Sequence, residues 1–401
     1  MPWRDWTVKA EREAFVALAS RPGANVSALC RRFEVSRSNG SKWLRRYRLE
    51  GLEGLAERSR RPKASPGRTL EAMEAAVLEV RAGSNEAWGA RKIDVVLRRR
   101  GMTPPALSTI TEILRRHGRL VARASEHPGP FIRFEKAQPN ELWQMDFKGP
   151  LAMDRQRCHP LTVLDDHSRF SLGVRACGDQ SDETVRSQLT AIFRAYGLPH
   201  RMLMDNGSPW GDAGDQTWTA FGVWLMRLGV KVSHGRPYHP QTQGKDERFH
   251  RTLKAEVVAG RSFPDLPQWQ RAFDSWRRIY NHERPHQALK MAVPADRYRP
   301  SERPFPETLA PIVYDHGELV RRVDANGFIY FKARRWRIGK PFKHLPVALQ
   351  PSGDDGVFNL RFLDHPLGRI NLRTGQKEPC GLVDDAIASP TTPQAQPQPQ
   401  N

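Results

Sequence analysis

Leu142-Trp143-Gln144-Met145-Asp146-Phe147 is the stretch that decides the fold, because it is an apolar segment of strand length with one carboxylate inside it. After it, short apolar segments alternate with helical patterns, which is typical of an α/β layer. The patterns predict strands at 142–147, 161–165, 170–176, 202–204 and 230–233, and helices at 182–196, 216–228, 245–259 and 267–281. An α/β core is therefore predicted over residues 135–297.

Three acidic side chains are predicted to meet at one place on this sheet. Asp146 lies within the first strand, where a carboxylate is costly unless it is paired or binds a metal. Asp205 directly follows the strand at 202–204, and Glu247 opens a helix after a polar loop at 238–244. Three hard oxygen ligands suit Mg²⁺ or Mn²⁺, and two such ions about 4 Å apart can activate an attacking oxygen and stabilise a leaving one. The pattern predicts phosphoryl-transfer chemistry at a two-ion site.

Each of these acids also has an ordinary structural interpretation. Asp205-Asn206-Gly207 is a common turn sequence, and Glu247 with Arg251 is a helix pair at i and i+4. For one acid alone that interpretation is the better one, but the three together, on two strands and the following helix, favour a metal site. Nearby acids are expected to be structural, with Asp165 and Asp166 in a strand-end turn and Asp246 facing away from Glu247.

Basic residues surround Glu247 on the same predicted helix. Arg251 and Lys254 share its face at i+4 and i+7, which would set two phosphate contacts beside a metal ligand. A solvated charged stripe explains this spacing equally well. We predict DNA contacts at Lys245, Arg251 and Lys254.

The whole chain is strongly basic. Its 401 residues include 64 Lys and Arg against 44 Asp and Glu, a net charge of +20, and the first 140 residues carry +13 of it. Such a lopsided charge favours a polyanionic partner, here double-stranded DNA. No apolar run approaches the ~20 residues of a membrane span, the N-terminus lacks the apolar core of a signal peptide, and the four cysteines form no zinc or disulfide pattern. We expect a cytoplasmic, nucleoid-associated protein with no membrane contact and no small-molecule cofactor.

A DNA-binding domain is predicted at residues 1–55. Three short helices fit within 9–50, with Ser27 and Ser36 as N-cap residues. The tight connection at 34–36 and the basic residues after it suit a helix-turn-helix whose second helix enters the major groove, and a plain helical bundle with a charged face is the alternative. The predicted DNA contacts are Arg37, Ser38, Asn39, Lys42, Arg45 and Arg46.

Three further segments flank the core. A basic, proline-interrupted linker is predicted at 56–68, followed by a second helix-turn-helix-like domain at 69–125 with helices near 70–82, 90–100 and 108–117. Residues 310–375 predict a small β-barrel, with a hairpin turn at Asn326-Gly327 between strands at 319–320 and 328–331. Basic residues of this domain, Lys332, Arg334, Arg335 and Arg337, either touch DNA or coat an exposed strand beside Trp336. The Pro- and Gln-rich residues 384–401 are expected to be disordered.

Several stretches of the core resemble a known family, in family order over about 140–295. The family comprises bacterial insertion-sequence transposases that share the retroviral-integrase catalytic core. The helical units in front and the small β domain behind fit the family's layout as well. The matching stretches are Trp143-Gln144-Met145-Asp146, Leu164 to Arg169, Asp205 to Ser208, Tyr238 to Arg248, Leu253-Lys254 and Tyr280 to Leu289.

The resemblance implies a multidomain α/β protein with an RNase H-like core, which the order of strands and helices also fits. It implies Asp146, Asp205 and Glu247, spaced by 59 and 42 positions, as catalytic residues and as ligands of two Mg²⁺ or Mn²⁺ ions. The second gap is longer than in many relatives, so 208–217 is interpreted as a loop insertion. A structural or DNA-contact role is expected for His239, whereas His282, Arg284 and His286 are expected to cap and orient the helix beside them.

The predicted function is DNA transposition. The N-terminal helical units would bind the element's ends, and the core would hydrolyse one phosphodiester to free a 3′-OH that attacks target DNA, within a homo-oligomer on DNA. Two alternatives stay open. One is a DNA-binding regulator derived from a transposase that has lost activity, which the intact acid triad disfavours. The other is an RNase H-type nuclease that cleaves RNA, which the two helix-turn-helix units disfavour.

Overall fold

The computed structural model describes residues 8–58, 68–120, 135–153, 156–205, 207–210, 218–234 and 244–378. Most of the predicted linker, the predicted tail and His239 lie outside these ranges. The chain divides into two compact units, Met1–Arg68 and Thr69–Asn401. The second helical segment, predicted as a separate domain, is therefore part of the same unit as the α/β core.

The first unit is a bundle of three helices. They are α1 (Val8–Ala19), α2 (Val26–Arg32) and α3 (Arg37–Glu50), followed by a 3₁₀ turn at Gly51–Leu55. Ser36 caps α3 as predicted, because its hydroxyl accepts from the Asn39 N–H at 3.2 Å. The prediction for Ser27 was wrong, since Asn25 caps α2 through the Ala28 N–H and Ser27 lies inside the first turn.

Close helix packing in this unit depends on Gly40 of α3. Phe15, Cys30 and Trp43 are buried in its core. A Cβ at Gly40 would lie 2.5 Å from the Cys30 Sγ and 2.8 Å from the Phe15 ring, so only glycine lets α3 cross the other two helices at this distance.

The second unit begins with three helices and continues into a β-sheet. The helices α4 (Glu71–Gly83), α5 (Ala90–Arg99) and α6 (Leu107–Arg116) confirm the three predicted helices to within a residue or two. The six strands of the sheet are β1 (Trp143–Phe147), β2 (Leu151–Ala152), β3 (Arg157–Asp165), β4 (Ser171–Cys177), β5 (Arg201–Met204) and β6 (Lys231–His234).

The strand order of this sheet confirms the predicted α/β core. β3 pairs antiparallel with β4 on one side and with β1 on the other, and β1 is followed by β5 and β6, both parallel to it. The short β2 pairs with the start of β3. Three antiparallel strands extended by two parallel ones give the RNase H-like order that the sequence predicts.

Helices cover both faces of the sheet. On one face α7 (Asp182–Tyr196) and α8 (Ala220–Arg227) pack on Trp143 and Met145 of β1. On the other lie α9 (Gly244–Leu253), a π-helical turn at Lys254–Val258 and α10 (Leu266–His282). The sequence predicted one continuous helix at 245–259, whereas in the structure residues 254–258 form the wider π turn.

The C-terminal part is all β. Its strands are β7 (Leu319–Arg322), β8 (Phe328–Phe331), β9 (Arg334–Arg337), β10 (Pro346–Pro351), β11 (Val357–Phe362), β12 (His365–Asn371) and β13 (Gln376–Glu378). They form a five-stranded sheet in the order β13-β12-β11-β10-β7 and a two-stranded sheet of β8 and β9. The predicted barrel is thus not closed among the described residues.

The predicted hairpin between β7 and β8 does not form. A tight turn does exist there, since the Asp324 carboxylate accepts from the N–H groups of Asn326 and Phe328, and Gly327 has a φ of +86°. However, β7 pairs with β10 and β8 with β9. The turn therefore leads the chain from the five-stranded sheet to the two-stranded sheet. The local turn sequence does not determine which distant strand each side pairs with.

Among the described residues, no helix has the length and apolar character needed to cross a bilayer.

Candidate active site

Asp146 and Asp205 are brought together by two neighbouring parallel strands. β1 and β5 pair with Trp143 beside Met202 and Gln144 beside Leu203. Continued by two residues, this register sets Asp146 beside Asp205. Side chains alternate along a strand, so Trp143 and Met145 face α7 and α8 whereas Asp146 faces α9. The sheet therefore presents two carboxylates to the helix that carries Glu247.

The Asp205 carboxylate is held by two donors from the residues after it. The Gly207 N–H donates to its Oδ1 at 3.0 Å, and the Trp210 indole N–H donates to the same oxygen. Trp210 is only 2% exposed and stacks on Phe147, with ring centroids 5.3 Å apart. The sequence interpretation treated Trp210 as part of a loop insertion and missed this role. No local feature of the sequence indicates that this indole contacts Asp205.

Glu247 lies in the first turn of α9 and is exposed. Its charge still reaches the strand carboxylates. The pKa of Asp146 is raised to about 7, first by burial, then by the charge of Asp205 and further by that of Glu247, while the Phe147 N–H opposes the rise. Three carboxylates thus share one electrostatic environment, with two on the sheet and one on the helix above it.

The three carboxylates are of the type that binds divalent cations, although in this structure they are not close enough together to coordinate one ion. Among the described residues, no three His, Cys, Asp or Glu side chains come close enough together to hold one ion. Glu247 is exposed to solvent. Asp146 and Asp205 offer hard oxygen donors on adjacent strands, and a cation between them would offset both the burial and the charge of Asp205, which raise the Asp146 pKa. The donor set therefore fits Mg²⁺ or Mn²⁺.

A Thr–His pair holds the backbone of Asp146. The Thr162 hydroxyl on β3 donates to the Asp146 carbonyl oxygen at 3.0 Å, so its oxygen accepts from His250 Nε2, 2.8 Å away. His250 Nδ1 then carries a lone pair and lies 3.8 Å from Asp146 Oδ2. Burial, with a smaller effect of the Lys148 charge, lowers the pKa of His250 to about 4. The sequence analysis missed His250, three positions after Glu247 on α9.

The three nearby acids are Asp165, Asp166 and Asp246, and all of them are buried. Asp165 accepts from the N–H groups of Asn140 and Ser168, which fits the expected strand-end turn. Asp166, fully buried, accepts from the Gln144 amide at 2.8 Å and pairs with Lys245. Lys245, predicted to contact DNA, is thus engaged within the protein, and burial lowers its pKa to about 8.

Asp246 points in a different direction from Glu247, as expected, but it is the buried one of the two. It is 2% exposed, and burial together with the charges of Asp146 and Asp166 raises its pKa well above the usual range. This acid therefore lies against the sheet, whereas its neighbour Glu247 faces solvent.

Family models match nearly every described part of the chain. Residues 136–240 and 228–294 each match a model of the integrase core domain, and residues 318–378 match the C-terminal domain of IS481 family transposases. The chain thus matches the integrase core over residues 136–294 and a transposase C-terminal domain behind it. Two further models, a helix-turn-helix domain and a homeodomain-like domain, match residues 11–63 and 39–114.

Proteins of bacterial insertion elements are among its relatives. The chain is 25% identical over 249 residues to the insertion element IS407 uncharacterized 31.7 kDa protein of Burkholderia multivorans, covering 61% of this chain and 87% of that protein. It is 30% identical over 161 residues to the insertion element IS476 uncharacterized 39.2 kDa protein of Xanthomonas euvesicatoria, covering 40% of this chain and 44% of the relative. The catalytic core domain of BIV integrase, a solved structure, is 20% identical and covers 39% of this chain and 92% of its own, with a TM-score of 0.30. That score is too low to establish a shared fold by itself.

The residues predicted to contact DNA lie on α3 and on α9 with the π turn that follows it. On α3 they are exposed or half-buried, and Lys42 and Arg46 lie over the Trp43 ring, 4.6 and 5.0 Å from its centroid. Arg251 and Lys254 are exposed after Glu247, with Lys254 at the first position of the π turn. The α3 set comprises Arg37, Ser38, Asn39, Lys42, Arg45 and Arg46.

A buried polar cluster connects α10 to the first helices of the second unit. Glu256 accepts from the indole N–H groups of Trp88 and Trp276 and from Arg284 Nε, at 3.1, 2.9 and 2.8 Å. His286 is close to Arg284, and burial with that charge lowers its pKa to about 2. The His282 ring packs edge-on against Phe170. These contacts support the structural roles expected for His282, Arg284 and His286.

Proposed function

We propose that this chain is a DNA transposase whose acidic triad is Asp146, Asp205 and Glu247. The observation that carries the proposal is the pairing of β1 with β5, which sets Asp146 beside Asp205 under the helix that bears Glu247. The match of this region to the integrase core domain supports the same assignment. DNA transposition in general agrees with the insertion-element relatives.

Mg²⁺ or Mn²⁺, two ions in all, would be held by these three carboxylates. When bound, such ions polarise a phosphate and lower the pKa of an attacking water or hydroxyl. The chain's own residues keep the carboxylates in place. Trp210 and Gly207 fix Asp205, and Thr162 fixes the backbone of Asp146. Glu247, exposed in the first turn of α9, would complete the set.

The reaction has two phosphoryl transfers. In the first, a water oxygen bonds to phosphorus at the element's end and the 3′-oxygen leaves with the electron pair, taking up a proton. In the second, this 3′-hydroxyl loses its proton, bonds to a target phosphorus and displaces the target's own 3′-oxygen. Arg251 and Lys254, exposed beside Glu247, are positioned to neutralise phosphate charge. No covalent link to the protein is formed.

Double-stranded DNA is the proposed partner, at the element's ends and at the target. The first unit supplies α3, whose exposed Arg37, Lys42 and Arg45 suit the major groove and its phosphates. Two ends must be joined in one event, so we propose that the chain acts as a homo-oligomer on DNA.

A cleavage assay on duplex DNA that carries the element's ends tests this function. We expect wild type to cleave only with Mg²⁺ or Mn²⁺, and Asp205→Asn to lose at least about a thousandfold in rate while binding DNA normally. Asp355→Asn, which removes an exposed carboxylate of the β domain, is the matched control and should cleave like wild type. Wild type that binds the ends but never cleaves would instead establish the inactive regulator. Preference for an RNA–DNA hybrid would establish the RNase H-type nuclease.

A further inference from the structure

A cavity of about 420 Å³ lies between the start of α5, the start of α6 and the 3₁₀ turn that follows α10. Arg91 and Lys92 line it from α5, Ser108 from α6 and Gln287 from the turn, with Leu107 and Met291 as apolar lining. All of these residues belong to the second unit. The cavity is separate from the acidic triad and has no part in the chemistry proposed above.

The polar side chains of this cavity have unused hydrogen-bonding capacity. Arg91 is exposed and Lys92 half-buried, and neither forms an ion pair with any residue that the structure describes. Over the same described ranges, the Ser108 hydroxyl and the Gln287 amide form no side-chain hydrogen bond within the protein. Two cations and two neutral donors therefore converge on an open space.

Both helices also direct backbone donors toward this space. α5 begins after Gly89 and α6 after Ala106, and neither N-cap has a side chain that accepts a hydrogen bond. The first N–H groups of each helix are consequently available to a ligand, with the positive end of the helix dipole behind them. Together with the cations, these donors complement a compact anion with several acceptor oxygens.

The charges around Lys92 are mostly positive. Burial lowers the pKa of Lys92 to about 8, and the charges of Arg284 and Arg248 lower it further while Glu256 opposes them. Glu256 compensates only in part, because its carboxylate is already paired with the Arg284 guanidinium. Arg248 follows Glu247 directly on α9, so the positive region extends from the cavity to the helix of the acidic triad.

We propose that this cavity binds one backbone phosphate of the DNA whose strand is processed at the acidic triad. The proposal rests on the proposed transposase function and adds a contact outside the first unit. Arg91 and Lys92 neutralise the phosphate, while Ser108, Gln287 and the helix N–H groups donate to its oxygens. One DNA backbone is then held by the second helical segment and the core at once, which fixes its position relative to Glu247.

The test compares DNA binding by wild type, Arg91→Gln/Lys92→Gln and the control Arg98→Gln/Arg100→Gln, which removes the same charge from the far end of α5. The probe is a fluorescent duplex with the element's end, titrated at several salt concentrations. We expect the cavity variant to bind about tenfold more weakly and its plot of log affinity against log salt to be shallower by about one, because the single phosphate contact that is lost contributes about 0.9 to the slope. The control variant should stay within about twofold of wild type.

Phosphate ethylation interference identifies the contact itself. Ethylating one backbone phosphate should weaken binding by wild type but not further weaken binding by the cavity variant, and Lys92→Arg should retain the wild-type pattern. An unchanged salt slope and interference pattern in the cavity variant would overturn this inference while leaving the proposed function intact. Failure of wild type to bind the duplex at all would overturn the proposed function itself. Unfolding temperatures of all variants confirm that each is folded.

Discussion

Trp210 shows how a single side chain prepares the site for its ligand. The indole N–H and the Gly207 amide both donate to Asp205 Oδ1, which leaves Oδ2 without either of these donors. A carboxylate fixed by two donors keeps one geometry. The indole ring, stacked on Phe147 of β1, also connects the end of β5 to the strand that carries Asp146.

Trp210→Phe separates these two contributions. Phenylalanine keeps the stacking on Phe147 but cannot donate to Asp205, so we expect cleavage to fall about ten- to hundredfold with DNA affinity unchanged. The measurement is the single-turnover cleavage rate beside a binding titration. Trp218→Phe, the same exchange at a half-buried tryptophan that packs on the β domain, serves as control. Equal rates for wild type and Trp210→Phe would show that the indole only fills space.

Among single residues, the sequence predicted the positions of those that lie on, or at the end of, a recognisable strand. Asp146 interrupts an apolar strand and Asp205 ends another, so their convergence follows from sheet order alone. Trp210, His250 and the Lys245–Asp166 pair could not be predicted, because their partners are chosen by packing between distant segments. A lone Trp or His gives no local sign of which carboxylate it will meet.

Elements in this chain were predicted well where a periodic pattern is long and poorly where two pairings compete. α7 matches its predicted bounds, and the sheet strands match within a few residues, because burial on one or both faces fixes their pattern. The pairing of β7 and β8 was wrong, since β10 and β9 are better partners in space. The π turn at Lys254–Val258 also escaped prediction, as helical periodicity does not distinguish it from α-helix over five residues.

A substitution at Gly40 tests how closely the helices of the first unit pack. We expect Gly40→Ala to reduce the free energy of unfolding by about 1–3 kcal/mol, because a new Cβ would overlap the Cys30 sulfur and the Phe15 ring. DNA binding through α3 should weaken in parallel. Gly83→Ala at the end of α4 is the control, since its Cβ would meet nothing within 4 Å. The readout is thermal unfolding of the full chain, and an undisturbed Gly40→Ala would contradict the close helix packing described for this unit.

On the scale of the second unit, Glu256 connects the helical segment to the catalytic core. It joins Trp88, between α4 and α5, to Trp276 and Arg284 at the end of α10, and only 6% of it is exposed. A buried carboxylate with three donors fixes the relative position of the segments that supply them. The phosphate cavity lies beside this junction, so its shape depends on the same cluster.

Glu256→Gln should therefore be far more damaging than an exposed change of the same kind. The amide keeps its size but leaves Arg284 buried without a counter-charge, and we expect a loss of about 3–5 kcal/mol in the free energy of unfolding. Glu283→Gln, at an exposed pair with Arg278, should cost less than about 1 kcal/mol. Denaturant unfolding of both variants checks this. Similar small losses for the two would show that the cluster does not hold the segments together.

The central claim is that Asp146, Asp205 and Glu247 jointly hold divalent cations on bound DNA. The most direct measurement is anomalous X-ray scattering from crystals of the chain with an element-end duplex and Mn²⁺. We expect two manganese peaks about 4 Å apart, with oxygens of all three carboxylates within coordination distance. Manganese bound elsewhere, or a Glu247 side chain that remains in solvent while the ions are bound, would contradict it.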